Sequence, residues 1–146
     1  MEDKVIRRSR IGFVIYLNQA PIYWFSKLQN GVECSTLGSD FISMKQCCEY
    51  VRGLWYKLRI MGIPVIGCSF LYGDNQSVLC NTCIPDSTLK KKNHAIAYHF
   101  VRELVAKEEW VTVYIKSENN AADTLTKTIP EVDRRDRFMG RYLFEI

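Results

Sequence analysis

The chain has 146 residues, 47% hydrophobic and 25% charged, with a formal net charge of +4. That is the make-up of one globular domain long enough to bury a core without metal or disulfide staples. Its 3 Trp, 8 Tyr and 7 Phe exclude global disorder, and no run approaches the roughly 18 apolar residues that a membrane span needs.

Arg7, Arg8 and Arg10 ahead of Ile11 to Leu17 have the outline of a secretory leader. The apolar run is at minimum length, contains Gly12 and meets no small-residue cleavage site in Asn18-Gln19-Ala20-Pro21, so it reads as a strand instead. Ile22 to Phe25 is a second β-rich run, which makes the pair a hairpin. Phe41, Met44, Cys48, Val51, Trp55 and Leu58 then step by 3, 4, 3, 4, 3, the stripe of a helix about five turns long. Ser35-Thr36 offers its N-cap hydroxyls, and Gly62 with Pro64 its stop.

Val65 to Tyr72 reads as a buried strand ended by Gly73-Asp74-Asn75, and Gln76 to Asn81 as a short helix. A loop through Pro85 and a lysine run leads to a long helix from Asn93 to Lys107, with Ala97, Val101, Leu104 and Val105 on one side. Trp110 to Ile115 alternates as a strand, Ala121 to Ile129 has a helical pattern opened by Asn119-Asn120, and Arg134 to Phe144 forms a further helix or tail. The order β-β-α-β-α-α-β-α implies an α/β architecture with a mixed sheet.

The charge is concentrated. Lys4, Arg7, Arg8 and Arg10 oppose Glu2 and Asp3 in the first ten residues, and Lys90, Lys91, Lys92, Arg102 and Lys107 oppose Asp86 and Glu103. Two basic clusters suit a polyanion, although a lysine run is more often a plain solvated surface. Cys34, Cys47, Cys48, Cys68, Cys80 and Cys83 read as reduced thiols of a protein inside the cell, in cytoplasm or nucleus. Cys80-Asn81-Thr82-Cys83 has zinc or redox spacing but no second matched pair, and His94 and His99 lie about 140° apart round a helix, so they share no ligand face. Both histidines suit hydrogen-bonding roles, and Trp24, Trp55 and Trp110 suit the core.

Three acids stand where such a fold gathers functional groups. Asp40 is placed in the first turn of the long helix, Asp74 just past the carboxyl end of a strand, and Asp123 at the opening of a helix. Carboxylates from separate elements are what hard divalent cations need, and two such ions about 3.5–4 Å apart can drive phosphodiester hydrolysis. Ordinary capping and turn aspartates would produce the same pattern.

From about residue 3 to residue 130 the chain resembles the ribonuclease H domain of copia-type LTR retrotransposon Pol polyproteins. The segments that carry the resemblance are Arg8 to Val14, Ala20 to Trp24, Cys34-Ser35-Thr36-Leu37-Gly38-Ser39-Asp40-Phe41, Asp74-Asn75-Gln76-Ser77, Lys91 to His99, and Asn119-Asn120-Ala121-Ala122-Asp123-Thr124-Leu125-Thr126-Lys127. The resemblance implies a ribonuclease H-like mixed sheet flanked by helices and hydrolysis of RNA in an RNA–DNA hybrid. It also implies four acids with two Mg²⁺ ions, and a reverse transcriptase domain of the same polyprotein as partner. Asp40, Asp74 and Asp123 match three of the four metal positions, while Arg8, Arg10, Lys90, Lys91 and Lys92 would meet the hybrid's phosphates.

Two departures shape the expectation. Asp40 stands where the family has glutamate, which draws the carboxylate about 1.3–1.5 Å back. The fourth acid and the central strand that carries it fall before Met1. The expected architecture is thus residues 1–130 as a ribonuclease H-like domain lacking its first central strand, and residues 131–146 as a helical tail. The expected activity is impaired, with Mg²⁺ weak or single. The alternatives are a non-catalytic nucleic-acid-binding or scaffold remnant and a decayed transposon fragment.

Overall fold

A computed structural model describes residues 9–29, 36–83, 95–127 and 129–142. In chain order the elements are β1 (Arg10–Leu17), β2 (Ala20–Leu28), α1 (Thr36–Ile60), β3 (Ser69–Gly73), α2 (Gln76–Cys83), α3 (Ala95–Ala106), β4 (Trp110–Tyr114), a 3₁₀ turn (Ser117–Asn119), α4 (Asp123–Thr126) and α5 (Val132–Tyr142). The α/β order expected from the sequence is present. The chain forms two compact units, Met1–Cys34 with Ser117–Ile146, and Ser35–Lys116.

In the first unit β1 and β2 pair antiparallel around Asn18, which takes the left-handed φ of 55° that asparagine tolerates. Alternation along β1 buries Ile11, Phe13 and Ile15, and Phe13 stacks on its cross-strand partner Phe25 at 5.1 Å. The same period of two turns Trp24 to the opposite face from Tyr23 and Phe25. It is 65% exposed, contrary to the core position expected for it. Gly12 is required by close packing, because a Cβ there would stand 2.5 Å from Thr126 Cγ2 and 3.1 Å from Leu125 Cβ of α4. Ser26 Oγ donates to the Leu125 carbonyl at 2.6 Å on the same side.

The helix expected over 121–129 is only one turn long. The Thr124 and Thr126 hydroxyls bond back to the carbonyls of Ala121 and Asp123, and Pro130 disfavours helical backbone at Ile129. A separate helix, α5, follows and fully buries Phe138.

In the second unit β3 and β4 are parallel, in register from Ser69↔Trp110 to Gly73↔Tyr114, with α2 and α3 as the crossover. The strand expected over 65–72 begins only at Ser69, since β4 offers no partner earlier and Gly67 (φ 82°) breaks the extended run. Phe41, Met44, Cys48 and Val51 of the α1 stripe are buried, while Trp55 is half-buried and stacks on buried Trp110 at 5.8 Å. Phe41 also meets Tyr98 of α3 edge to face at 5.4 Å. In place of the one mixed sheet expected from the sequence, the described residues form two separate two-stranded sheets, one antiparallel and one parallel.

Both long helices end alike. Gly62 (φ 76°) closes α1 through Ile63 N–H to Leu58 O at 2.9 Å and Gly62 N–H to Arg59 O at 3.0 Å. Glu108 (φ 56°) closes α3 through Glu109 N–H to Leu104 O at 3.1 Å and Glu108 N–H to Val105 O at 3.0 Å. This is the paired-bond ending that favours glycine at the left-handed position, and α3 uses a residue with a Cβ there. Left-handed backbone costs an L side chain about 1–2 kcal/mol. Urea denaturation should therefore show Gly62→Ala losing about 1 kcal/mol of stability and Glu108→Gly gaining up to about 1 kcal/mol.

Candidate active site

The parallel pair positions Asp74. Asp74 follows directly on Gly73 at the carboxyl end of β3, the edge where α/β sheets gather ligands. Gly73 packs on α1: a Cβ there would lie 3.2 Å from Met44 Cε, and Met44 is one helical turn beyond Asp40.

Asn75 completes the connection. Its Nδ2 donates to Asp40 Oδ2 at 2.7 Å, while its Oδ1 accepts the Val78 N–H at 3.4 Å as the N-cap of α2. One side chain thus fixes a carboxylate and starts a helix. The structure therefore brings Asp40 to the residue beside Asp74. It also moves Asp40 out of its expected place: α1 begins at Thr36, so Asp40 is in the second turn, where the helix terminus stabilises a carboxylate less.

Asp123 belongs to the other unit. It opens α4, is only 6% exposed, and is engaged by two cations, Lys127 Nζ at 3.1 Å from Oδ1 and Arg134 Nη2 at 3.2 Å from Oδ2. Arg134 Nη2 also donates to the Ser117 carbonyl at 2.6 Å. Lys127 was legible as a cation four residues on in the same motif. No local pattern links Arg134 to Asp123 across 11 positions.

Among the described residues, no group of three or more His, Cys, Asp or Glu side chains stands close enough to hold a metal ion. Asp40 and Asp74 are hard oxygen donors of the kind Mg²⁺ takes, so in donor chemistry that end fits the ion. Asp123, paired with Lys127 and Arg134, does not fit the ion.

Of the expected phosphate-contacting residues, Arg10 is exposed and donates to Ser26 Oγ at 3.2 Å within the hairpin. Arg8, Lys90, Lys91 and Lys92 lie outside the described residues, as do His94 and Cys34. His99 is exposed, with its ring edge-on to Tyr98 at 5.1 Å. Burial pushes the Cys47 thiol up to about 12 and raises Cys48 also, with Cys47 as a further cause, so both act as apolar core groups. Cys68, Cys80 and Cys83 are exposed and free.

No family model matches the chain. It is 29% identical over 121 residues to the retrovirus-related Pol polyprotein from transposon RE2 of Arabidopsis thaliana, a match covering 83% of this chain and 8% of that protein. The corresponding polyprotein from transposon RE1 of the same plant is 30% identical over 127 residues, 87% of this chain and 9% of its own length. That from transposon TNT 1-94 of Nicotiana tabacum is 27% identical over 125 residues, 85% and 9%. The homologues of this chain are thus retrovirus-related Pol polyproteins of transposons. It spans less than a tenth of the length of these relatives.

Replacing Asn75 tests how Asp40 is held. Asn75→Ala should lower stability by about 1 kcal/mol through the lost cap, and the Asp40 and Val78 amide resonances should shift together. An unchanged Asp40 resonance would show that the Asn75 bridge does not form in solution.

Proposed function

We propose that this chain is a ribonuclease H-like domain of copia-type retrotransposon origin. Its site belongs to the Mg²⁺-dependent hydrolysis of RNA in an RNA–DNA hybrid, and the 146 residues by themselves are impaired in that reaction. The observation that carries the reading is the Asp40–Asn75 bridge beside Asp74 at the carboxyl end of a parallel strand pair. The Pol homologues support the same origin, and a reverse transcriptase domain of the same polyprotein is the partner this origin suggests.

Asp40 and Asp74 are the residues that would hold Mg²⁺. The ion would supply activation of the attacking water and stabilisation of the leaving oxygen. Asn75 would keep Asp40 from turning away. The hybrid's phosphates would be met by Arg8, Arg10, Lys90, Lys91 and Lys92. Three carboxylates of four, one of them shortened, should leave little rate.

The pairing of Asp123 with Arg134 and Lys127 favours a second reading, a non-catalytic nucleic-acid-binding remnant. In that case the buried carboxylate is a structural anchor.

Hybrid cleavage against Mg²⁺ concentration separates the two. The unmodified chain should cleave barely or not at all, and adding an upstream apolar strand bearing an aspartate, together with Asp40→Glu, should restore cleavage. Strong cleavage by the unmodified chain, abolished by Asp74→Asn, would refute the impairment and keep the site. No cleavage by the repaired chain would favour the binding reading. Hybrid affinity should fall steeply with salt, and replacing Lys90, Lys91 and Lys92 together with alanine should weaken it about equally for all sequences. Unchanged affinity would reduce that run to a solvated loop.

A further inference from the structure

The last turns of α1 carry a group of side chains outside the candidate site. Arg52, Trp55, Tyr56 and Arg59 fall at i, i+3, i+4 and i+7, so they share one face of the helix. Trp55 follows Asp40 by 15 residues, about 22 Å of helix. The facing wall is the entry of β3 and the turn between α3 and β4, tied together where Ser69 N–H donates to the Glu109 carbonyl at 2.9 Å. Between the two walls lies a cavity of about 390 Å³, closed by Gly67, Glu108 and Glu109 opposite α1. Small-ligand pockets start at about this size.

The walls are aromatic and carry both charges. Trp55 is half-buried, its ring held by stacking on Trp110, and Tyr56 is exposed. Glu109 Oε2 is shielded from water yet accepts no hydrogen bond, since the Nε of its ion-pair partner Arg52 stands 3.6 Å away. An acceptor left in that state gains from any N–H that reaches it. Arg52 is half-exposed and can turn aside to let one in, and Arg59 has no ion pair among the described residues. Glu108 keeps left-handed backbone where glycine would cost less, and strain of this kind concentrates at ligand sites.

A lone cation would suit the acids and aromatics but meet Arg52 and Arg59, and a lone anion would meet Glu108 and Glu109. The walls instead suit a molecule with planar apolar faces, N–H donors along one edge and an anionic group at the other end, which is a nucleotide. Guanine alone among the common bases presents two adjacent N–H donors, on N1 and N2, to match the two oxygens of a carboxylate. Adenine and cytosine place an acceptor beside the amine, and uracil flanks its one N–H with carbonyls.

We propose that this cavity binds a guanine nucleotide, the base against Trp55 and Tyr56, its N1 and N2 donors on Glu109 and its 5′-phosphate on Arg59. Arg52 yields Oε2 to the base. Stacking supplies affinity for any base, and Glu109 supplies the choice. The site uses neither Asp40 nor Asp74, so it stands whether or not the chain cleaves a hybrid. The guanine belongs to a free nucleotide or to the end of a single strand, which present the same groups.

The test titrates the full chain, without divalent cation, with guanosine monophosphate, inosine monophosphate and adenosine monophosphate while amide shifts are followed at residues 52–59 and 108–110. Guanosine monophosphate should give saturable shifts there. Inosine monophosphate lacks the N2 amine and should bind about tenfold more weakly, the factor for one charge-assisted hydrogen bond, with adenosine monophosphate weaker still. Arg59→Ala should weaken guanosine monophosphate about tenfold and leave guanosine unchanged, which a merely structural arginine would not do. Glu109→Gln should shrink the difference between the guanosine and inosine nucleotides. Should that variant fail to fold, Glu108→Gly, expected to gain stability, should still weaken guanosine monophosphate severalfold. A trinucleotide with 5′-phosphorylated guanine at its end that binds at least as tightly assigns the site to strand ends, and weaker binding assigns it to the free nucleotide. No saturation at millimolar guanosine monophosphate, or equal affinity for the adenosine nucleotide, would overturn the site.

Discussion

Parallel pairing of β3 with β4 is the constraint from which the second unit follows. Parallel neighbours cannot be joined by a tight turn, so the chain between them must leave the sheet and return, and α2 and α3 are that return. The crossover places α3 against α1, where Phe41 and Tyr98 close the core. It also leaves the end of β3 at Gly73 pressed on α1, with Asp74 and Asn75 emerging where the backbone turns into α2. The approach of Asp40 to Asn75, the residue after Asp74, is a consequence of that topology, because the strand end packs on α1.

The long helix was legible because its apolar residues repeat over many turns, and burial of Phe41, Met44, Cys48 and Val51 follows the stripe. The hairpin was legible from two β-rich runs around Asn18. Short elements were not. The start of β3 is decided by how much of β4 can pair, which is a non-local property, and α4 is cut short by threonine hydroxyls competing for backbone carbonyls. Trp24 shows the limit of composition: an aromatic in a strand has two faces to choose from, and the register with β1 turned it outward. Of the candidate site, the identity of the acids was legible and their electrostatic setting was not. Asn75 as a bridge and Arg134 as a counter-cation exist only once the chain is folded.

Asp40 and Asp123, in different units, are held differently. Asp40 accepts a hydrogen bond from the neutral amide of Asn75, whereas Asp123 is buried and paired with cations from its own unit. Neutral tethers suit a carboxylate that is to receive a cation; ion pairs suit one that anchors structure. The chain thus holds one of these carboxylates by a neutral tether and the other by ion pairs.

The central claim, that Asp40 and Asp74 form a cation-binding end organised by Asn75, is tested most directly by mapping amide chemical shifts of the full chain during Mg²⁺ titration. The account predicts saturable shifts concentrated at residues 39–41 and 73–76, lost in Asp74→Asn. Shifts spread evenly over the surface carboxylates, or a response at residues 39–41 and 73–76 that survives Asp74→Asn, would contradict it.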